Sequence, residues 1–146
     1  MPVIVIGADT THGMSILKGL YEPEREIRAF VTDDVVGAEL KEFGFKVALG
    51  DVTDESHVEA AAMRCHSAVL IAEAASDDRE RSFANDPTEV LELWERAMLG
   101  ASVDRVIWVS SGTPPSTRAN EVAIVDPNHP NLVQAVVDLD DAQAIS

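Results

Sequence analysis

Short, uniformly apolar runs alternate along the chain with stretches whose apolar positions recur at helical spacing. Val3–Ile6 is a continuous apolar run ending at Gly7, the pattern of a strand buried on both faces. Over residues 12–21, Met14, Leu17, Leu20 and Tyr21 fall at helical spacing, and Pro23 stops that helix. A second strand is expected at Ile27–Val31, a short helix over 38–43 closed by Gly44, and a third strand over 45–49. Asp54 or Ser56 can cap a third helix running through Val58 and Met63, and 68–72 reads as a fourth buried strand. Residues 77–87 are polar and read as a loop or frayed helix. Pro87 suits the first turn of a helix that carries Val90, Leu91, Leu93, Trp94, Ala97 and Met98 and ends at Gly100. Residues 106–109 form a fifth strand, 110–115 a break, and a last helix is expected from Pro130, bearing Leu132, Val133, Val136, Val137 and Leu139.

Five apolar strands separated by helices predict a doubly wound α/β fold: about five parallel strands in a Rossmann-like sheet, helices on both faces, and one domain over 1–146. Ligands of such sheets sit outside the carboxyl ends of the strands, so the polar residues that follow strands are the candidate site. Composition narrows the function. The 146 residues carry 26 acidic and 11 basic side chains, a formal charge of −15, with 46% hydrophobic residues and one cysteine. That balance supports a folded, soluble, cytoplasmic protein and argues against a nucleic-acid partner, whose phosphates need a basic face. No apolar run approaches the roughly 20 residues of a membrane span. The lone Cys65 excludes a disulfide framework, and neither HExxH nor a cysteine pair supports a metal site.

Three landmarks in register resemble the atypical short-chain dehydrogenases, especially the NmrA-like group. Gly7-Ala8-Asp9-Thr10-Thr11-His12-Gly13 is similar to that group's Gly-Ala-Thr-Gly-x-x-Gly turn. Gly50-Asp51-Val52-Thr53-Asp54 resembles its Gly-Asp-Leu-Thr-Asp, and Val106-Ile107-Trp108-Val109-Ser110-Ser111 its fifth strand. The resemblance implies a dinucleotide site at Gly7, Thr10, His12, Gly13, Asp33, Asp51, Val52, Ala72 and Ser110. Asp33, 20 residues after Gly13, is placed to hydrogen-bond a ribose diol and to repel a 2′-phosphate, so the implied cofactor is NAD and not NADP.

The chain departs from the pattern at two places. Asp9 and Thr10 replace the threonine and the middle glycine of the turn, putting an anion and a β-branched side chain where a pyrophosphate would lie. Asp9 opposes a bound anion there unless it turns away or caps the helix. The Tyr-x-x-x-Lys pair of the wider family is absent, since Tyr21 is the one tyrosine and no lysine follows Lys46. Three readings therefore stand: a protein without reductase chemistry that binds a dinucleotide or has lost it; a cofactor-independent isomerase, cyclase or lyase; and a non-enzymatic redox sensor acting through a partner. For the second, His12 and His129 follow strands and face the same crevice, near Asp51, Glu73, Ser110, Ser111, Thr113 and Asp126. A histidine with a carboxylate partner is a general acid/base near neutral pH, and Ser111 is the candidate hydroxyl. The wide apolar stripes of helices 87–100 and 130–145 predict a homodimer through them.

Overall fold

The apolar runs become parallel strands and the periodic stretches the helices between them. The computed structural model describes residues 1–76 and 86–145. In chain order these are β1 (Val3–Ile6), α1 (Thr11–Leu20), β2 (Ile27–Val31), α2 (Asp34–Phe43), β3 (Lys46–Leu49), α3 (Glu55–Ala62) and β4 (Ser67–Ile71). A single 3-10 turn (Ala72–Ser76), α4 (Pro87–Gly100), β5 (Arg105–Val109), β6 (Glu121–Val125) and α5 (Leu132–Asp141) follow. The expectation for 77–87 falls largely outside the described residues.

All pairings are parallel, in the order β3-β2-β1-β4-β5-β6. The fold is thus the expected Rossmann-like α/β sheet, with six strands instead of five. The additional strand, Glu121-Val122-Ala123-Ile124-Val125, lies at an edge, and Val125 alone of its residues is buried. Its Val122-Ala123-Ile124-Val125 is as unbroken an apolar run as that of β1, a strand signal that the expectation of five strands omits. The other edge, β3, is likewise half exposed. The expectation of strands buried on both faces holds for β1, β4 and β5.

Alternating residues of the central strands feed two cores, because a strand presents successive side chains to opposite faces. Val3, Val5, Val69, Ile71, Ile107 and Val109 pack with Ile16, Leu17 and Leu20 of α1, Leu40 of α2, and Leu132 and Val136 of α5. Ile4, Ile6, Leu70, Val106 and Trp108 pack with Val58 and Ala62 of α3 and with Val90, Leu93, Trp94, Ala97 and Met98 of α4. The stripe of α4, which motivated a dimer, is therefore buried within the chain itself. On α5, Val133 and Val137 lie against the Gly19 position of α1.

Helix starts follow from local chemistry. Asp33 accepts the Val35 and Val36 amides, so α2 begins at Asp34, four residues before the sequence pattern places it. Asp54 caps α3 and Asp86 caps α4 in the same way. At the amino end of the sheet the ties are long-range. Arg105, 1% exposed, donates through Nη1 to the carbonyls of Leu139 (2.7 Å), Asp140 (3.0 Å) and Ala142 (2.7 Å), and through Nη2 to both carboxylate oxygens of Glu121. Arg25 pairs with the buried Asp140. These contacts fasten α5 and the start of β6 to the sheet. The Ile145 amide and Arg105 hold the Glu121 carboxyl below the usual carboxylate range.

Candidate functional site

The crevice is set by topology. The chain winds outward from β1 through β2 to β3, then returns to place β4 on the other side of β1. Loops leaving β1 and β4 diverge there and open a space at the carboxyl ends. A cavity of about 330 Å³ lies at that point, lined by His12, Ile71, Ala72, Glu73, Val109, Ser110, Ser111 and Pro127. A more open cavity of about 510 Å³ adjoins it, shares His12 and Pro127, and adds Ser15, His129 and the first residues of α5.

Within this space His12 Nδ1 stands 3.4 Å from Glu73 Oε2. Nδ1 is shut off from solvent and the approach lacks hydrogen-bond alignment, while the two side chains as wholes remain partly exposed. A carboxylate on that side favours the tautomer with the proton on Nδ1, which leaves Nε2 to exchange a proton with a ligand. His129 is placed differently: its Nδ1 accepts the Asn131 amide at 2.9 Å, so it helps to start α5. It follows β6, not β5, because the sixth strand intervenes. Ser110 Oγ donates to the Gly112 carbonyl (3.1 Å) and accepts the Gly112 amide (3.2 Å), shaping the loop, while Ser111 is an exposed lining residue. That loop is held from behind. Trp108 Nε1 donates to Thr117 Oγ1 at 2.9 Å, and Glu95, 6% exposed on α4, accepts the Arg118 amide and pairs with its guanidinium at 3.0 Å.

The glycine turn keeps two of its three requirements. Gly7 has φ +88°, a left-handed conformation, and a β-carbon there would meet Ala74 at 2.8 Å. A β-carbon on Gly13 would lie 2.1 Å from the Gly7 carbonyl oxygen, so glycine is needed for α1 to approach β1. Thr10 at the middle position has φ −86° and needs no glycine freedom. Its Oγ1 donates to the Gly7 carbonyl (2.7 Å) and accepts the Gly13 amide (3.0 Å), closing the turn and capping α1. Asp9 turns away from α1: its Oδ2 accepts the Thr32 amide (2.9 Å), the Thr32 hydroxyl (3.3 Å) and the Asp33 amide (3.3 Å).

These bonds bear on whether an adenosine half fits. The amides after β2 are taken by Asp9, and Asp33 points one oxygen at its own helix. Asp51 accepts the Thr53 amide and hydroxyl (2.8 and 2.7 Å), and Val52 is buried with its carbonyl bonded to Trp94 Nε1 at 2.9 Å. Neither Asp33, Asp51 nor Val52 lines the two crevice cavities. The structure thus brings together His12, Ala72, Ser110 and Ser111 with Glu73, and sets His129 next door. It leaves the expected adenosine residues engaged in local bonds. The tie from Asp9 to Thr32 and Asp33 had no sequence signal beyond an acidic residue at an unusual position. Pro127 in the lining was hidden by the unrecognised strand before it. The lone Tyr21 packs on Phe43 and Phe45 at the far end of α1.

No protein-family model matches the chain, and no curated protein matches it in sequence. In fold it is similar to the NADPH-dependent quinone oxidoreductase of Escherichia coli in complex with NADPH, with TM-score 0.60 and 20% identity over 74% of this chain and 36% of that one. It is similar to the Citrobacter sp. triphenylmethane reductase in complex with NADP(H), with TM-score 0.62 and 17% identity over 75% and 37%. The anaerobillin reductase of Escherichia coli O157:H7 matches with TM-score 0.58 and 21% identity over 76% and 51%. The fold is therefore one that holds a nicotinamide dinucleotide in other proteins, and the chain spans between 36% and 51% of the length of these three.

Proposed function

We propose that this chain is a small-ligand protein on a dinucleotide-binding fold, without reductase chemistry, whose adenosine half no longer accepts a cofactor. The observation that carries this reading is the Asp9 carboxylate on the Thr32 and Asp33 amides. A carboxylate there satisfies donors that a ribose or phosphate would otherwise use, and its charge repels a phosphate. Titration with NADH and NADPH, followed by nicotinamide fluorescence and thermal unfolding, is expected to give no response at millimolar ligand. Replacing Asp9 by Thr together with Thr10 by Gly is expected to create binding, tighter for NADH than for NADPH because Asp33 remains. Micromolar binding by the unaltered chain would overturn the proposal and favour the redox-sensor reading.

A second reading rests on the His12–Glu73 approach of 3.4 Å. The pair supports a cofactor-independent isomerase, cyclase or lyase in which His12 Nε2 removes and returns a proton, Glu73 orients the ring, and Ser111 offers a hydroxyl to the ligand. Dimerisation remains part of the proposal only as a test of mass by sedimentation, since the apolar residues of α4 are occupied within the chain.

A further inference from the structure

A separate cavity, of about 290 Å³, opens at the amino end of the sheet, between the starts of β2 and β3 and the end of α3. Arg28, Lys46 and Arg64 line it together with Val47, Ala61 and Met63. Three of the chain's 11 basic residues thus surround one cavity in a protein of net charge −15. Glu26 pairs with both Arg28 and Lys46, so the group keeps an excess of positive charge. Arg28 is fixed in the wall, since its Nη1 donates to the Ala61 carbonyl at 2.8 Å and to the Met63 carbonyl.

Arg64 differs from its neighbours. It is exposed and makes no hydrogen bond or ion pair with any described residue. Its backbone has φ +68°, the left-handed region that glycine enters freely and an arginine does not. A side chain that disfavours the turn, and pairs with none of the described residues, stands beside two further cations at the mouth of a cavity. We propose that this cavity is a binding site for a small polyanion, a phosphate or a compact polycarboxylate. Arg64 supplies the unpaired charge, Lys46 adds to it while sharing Glu26 with Arg28, and Arg28 is the fixed wall. The volume suits an ion or fragment, being at the lower limit of pockets that take drug-sized molecules. The site lies at the opposite end of the sheet from the His12 crevice and is independent of the function proposed for that crevice.

The test is thermal unfolding of the whole chain in sodium phosphate and, separately, sodium citrate, each against sodium chloride at matched ionic strength and neutral pH. A ligand that binds the folded state alone raises stability with its concentration. A rise in Tm of a few degrees over chloride at millimolar anion is expected. Which salt acts at the lower concentration separates phosphate from polycarboxylate. Arg64→Gly accommodates the left-handed φ, so this variant folds, and it is expected to lose the anion-specific rise. Lys46→Gln is expected to weaken it. Anions excluded from the surface stabilise any protein non-specifically. A rise retained in Arg64→Gly would therefore overturn the proposal, as would no rise over chloride in the unaltered chain.

Discussion

The two ends of this parallel sheet are built on different principles. At the carboxyl end many polar groups are satisfied by near neighbours in sequence, although Asp9 reaches across to the Thr32 and Asp33 amides. Thr10 bonds Gly7 and Gly13, Asp33 bonds Val35 and Val36, Asp51 bonds Thr53, and Asp126 bonds the Asn128 amide. At the amino end the bonds span the chain, from Arg105 to the end of α5 and from Arg25 to Asp140. Charge divides less cleanly, because Glu26, Asp104 and Glu121 stand at strand starts beside the cations. Asp9, Asp33, Asp51, Asp54, Glu73 and Asp126 follow strands, whereas Arg25, Arg28, Lys46, Arg64 and Arg105 lie at or just before strand starts. Among the described residues, Arg118 is the one cation in the loops after strands, and it is paired with Glu95. The carboxyl end therefore shapes its crevice largely with short turns, and the amino end carries the ties that fasten α5 to the sheet.

The largest loss is expected from Arg105→Met at the amino end. The substitution removes the donors from three carbonyls and from Glu121. Removing one partner of a buried ionic group costs about 3–5 kcal/mol, and urea unfolding is expected to show a loss of that order. A loss under about 1 kcal/mol would mean that α5 is held by its apolar face alone. Gly13→Ala probes the other end. Its β-carbon would press on the Gly7 carbonyl and on Ala8, forcing α1 away from β1. Overpacking of this kind costs about 1–3 kcal/mol, so the same measurement is expected to show a smaller loss than Arg105→Met, together with altered NMR shifts at His12 and Glu73.

The smallest effect concerns Cys65, just before β4 at the amino end. Burial pushes its thiol up from the ordinary value to about 11. Below the unfolded pKa both states keep the proton and the stability contribution is complete. As pH rises from there to about 11 the unfolded chain ionises first, so stability falls over that window. Native protein is expected to stay unreactive to Ellman's reagent at pH near 8 and to react fully once unfolded. Rapid reaction of the folded chain would show that the amino end opens locally.

Much of the architecture was legible because a buried parallel strand leaves an unmistakable apolar run. Val3–Ile6 and the core residues of β4 and β5 carry no polar interruption. Edge strands carry the same runs, as Val122–Val125 of β6 shows, but there the sequence does not tell that the run is half exposed: β6 exposes Ile124 and buries Val125. In the site, the strand-end rule found His12, Glu73, Ser110 and Ser111, since topology alone brings the ends of neighbouring strands together. The family resemblance added Asp33, Asp51 and Val52, which the structure engages in capping a helix, shaping a turn and bonding Trp94.

By itself, then, the sequence determined the layer architecture, the crevice edge and the absence of a Tyr-x-x-x-Lys pair, because these depend on residue type and local period. Only the tertiary structure decided where Asp9 points, which carboxylate faces His12, and that a basic cavity sits at the far end of an acidic protein. Each of these joins residues on different loops or strands. A hydrogen bond or a charge cluster between them depends on distances that the chain acquires when it folds.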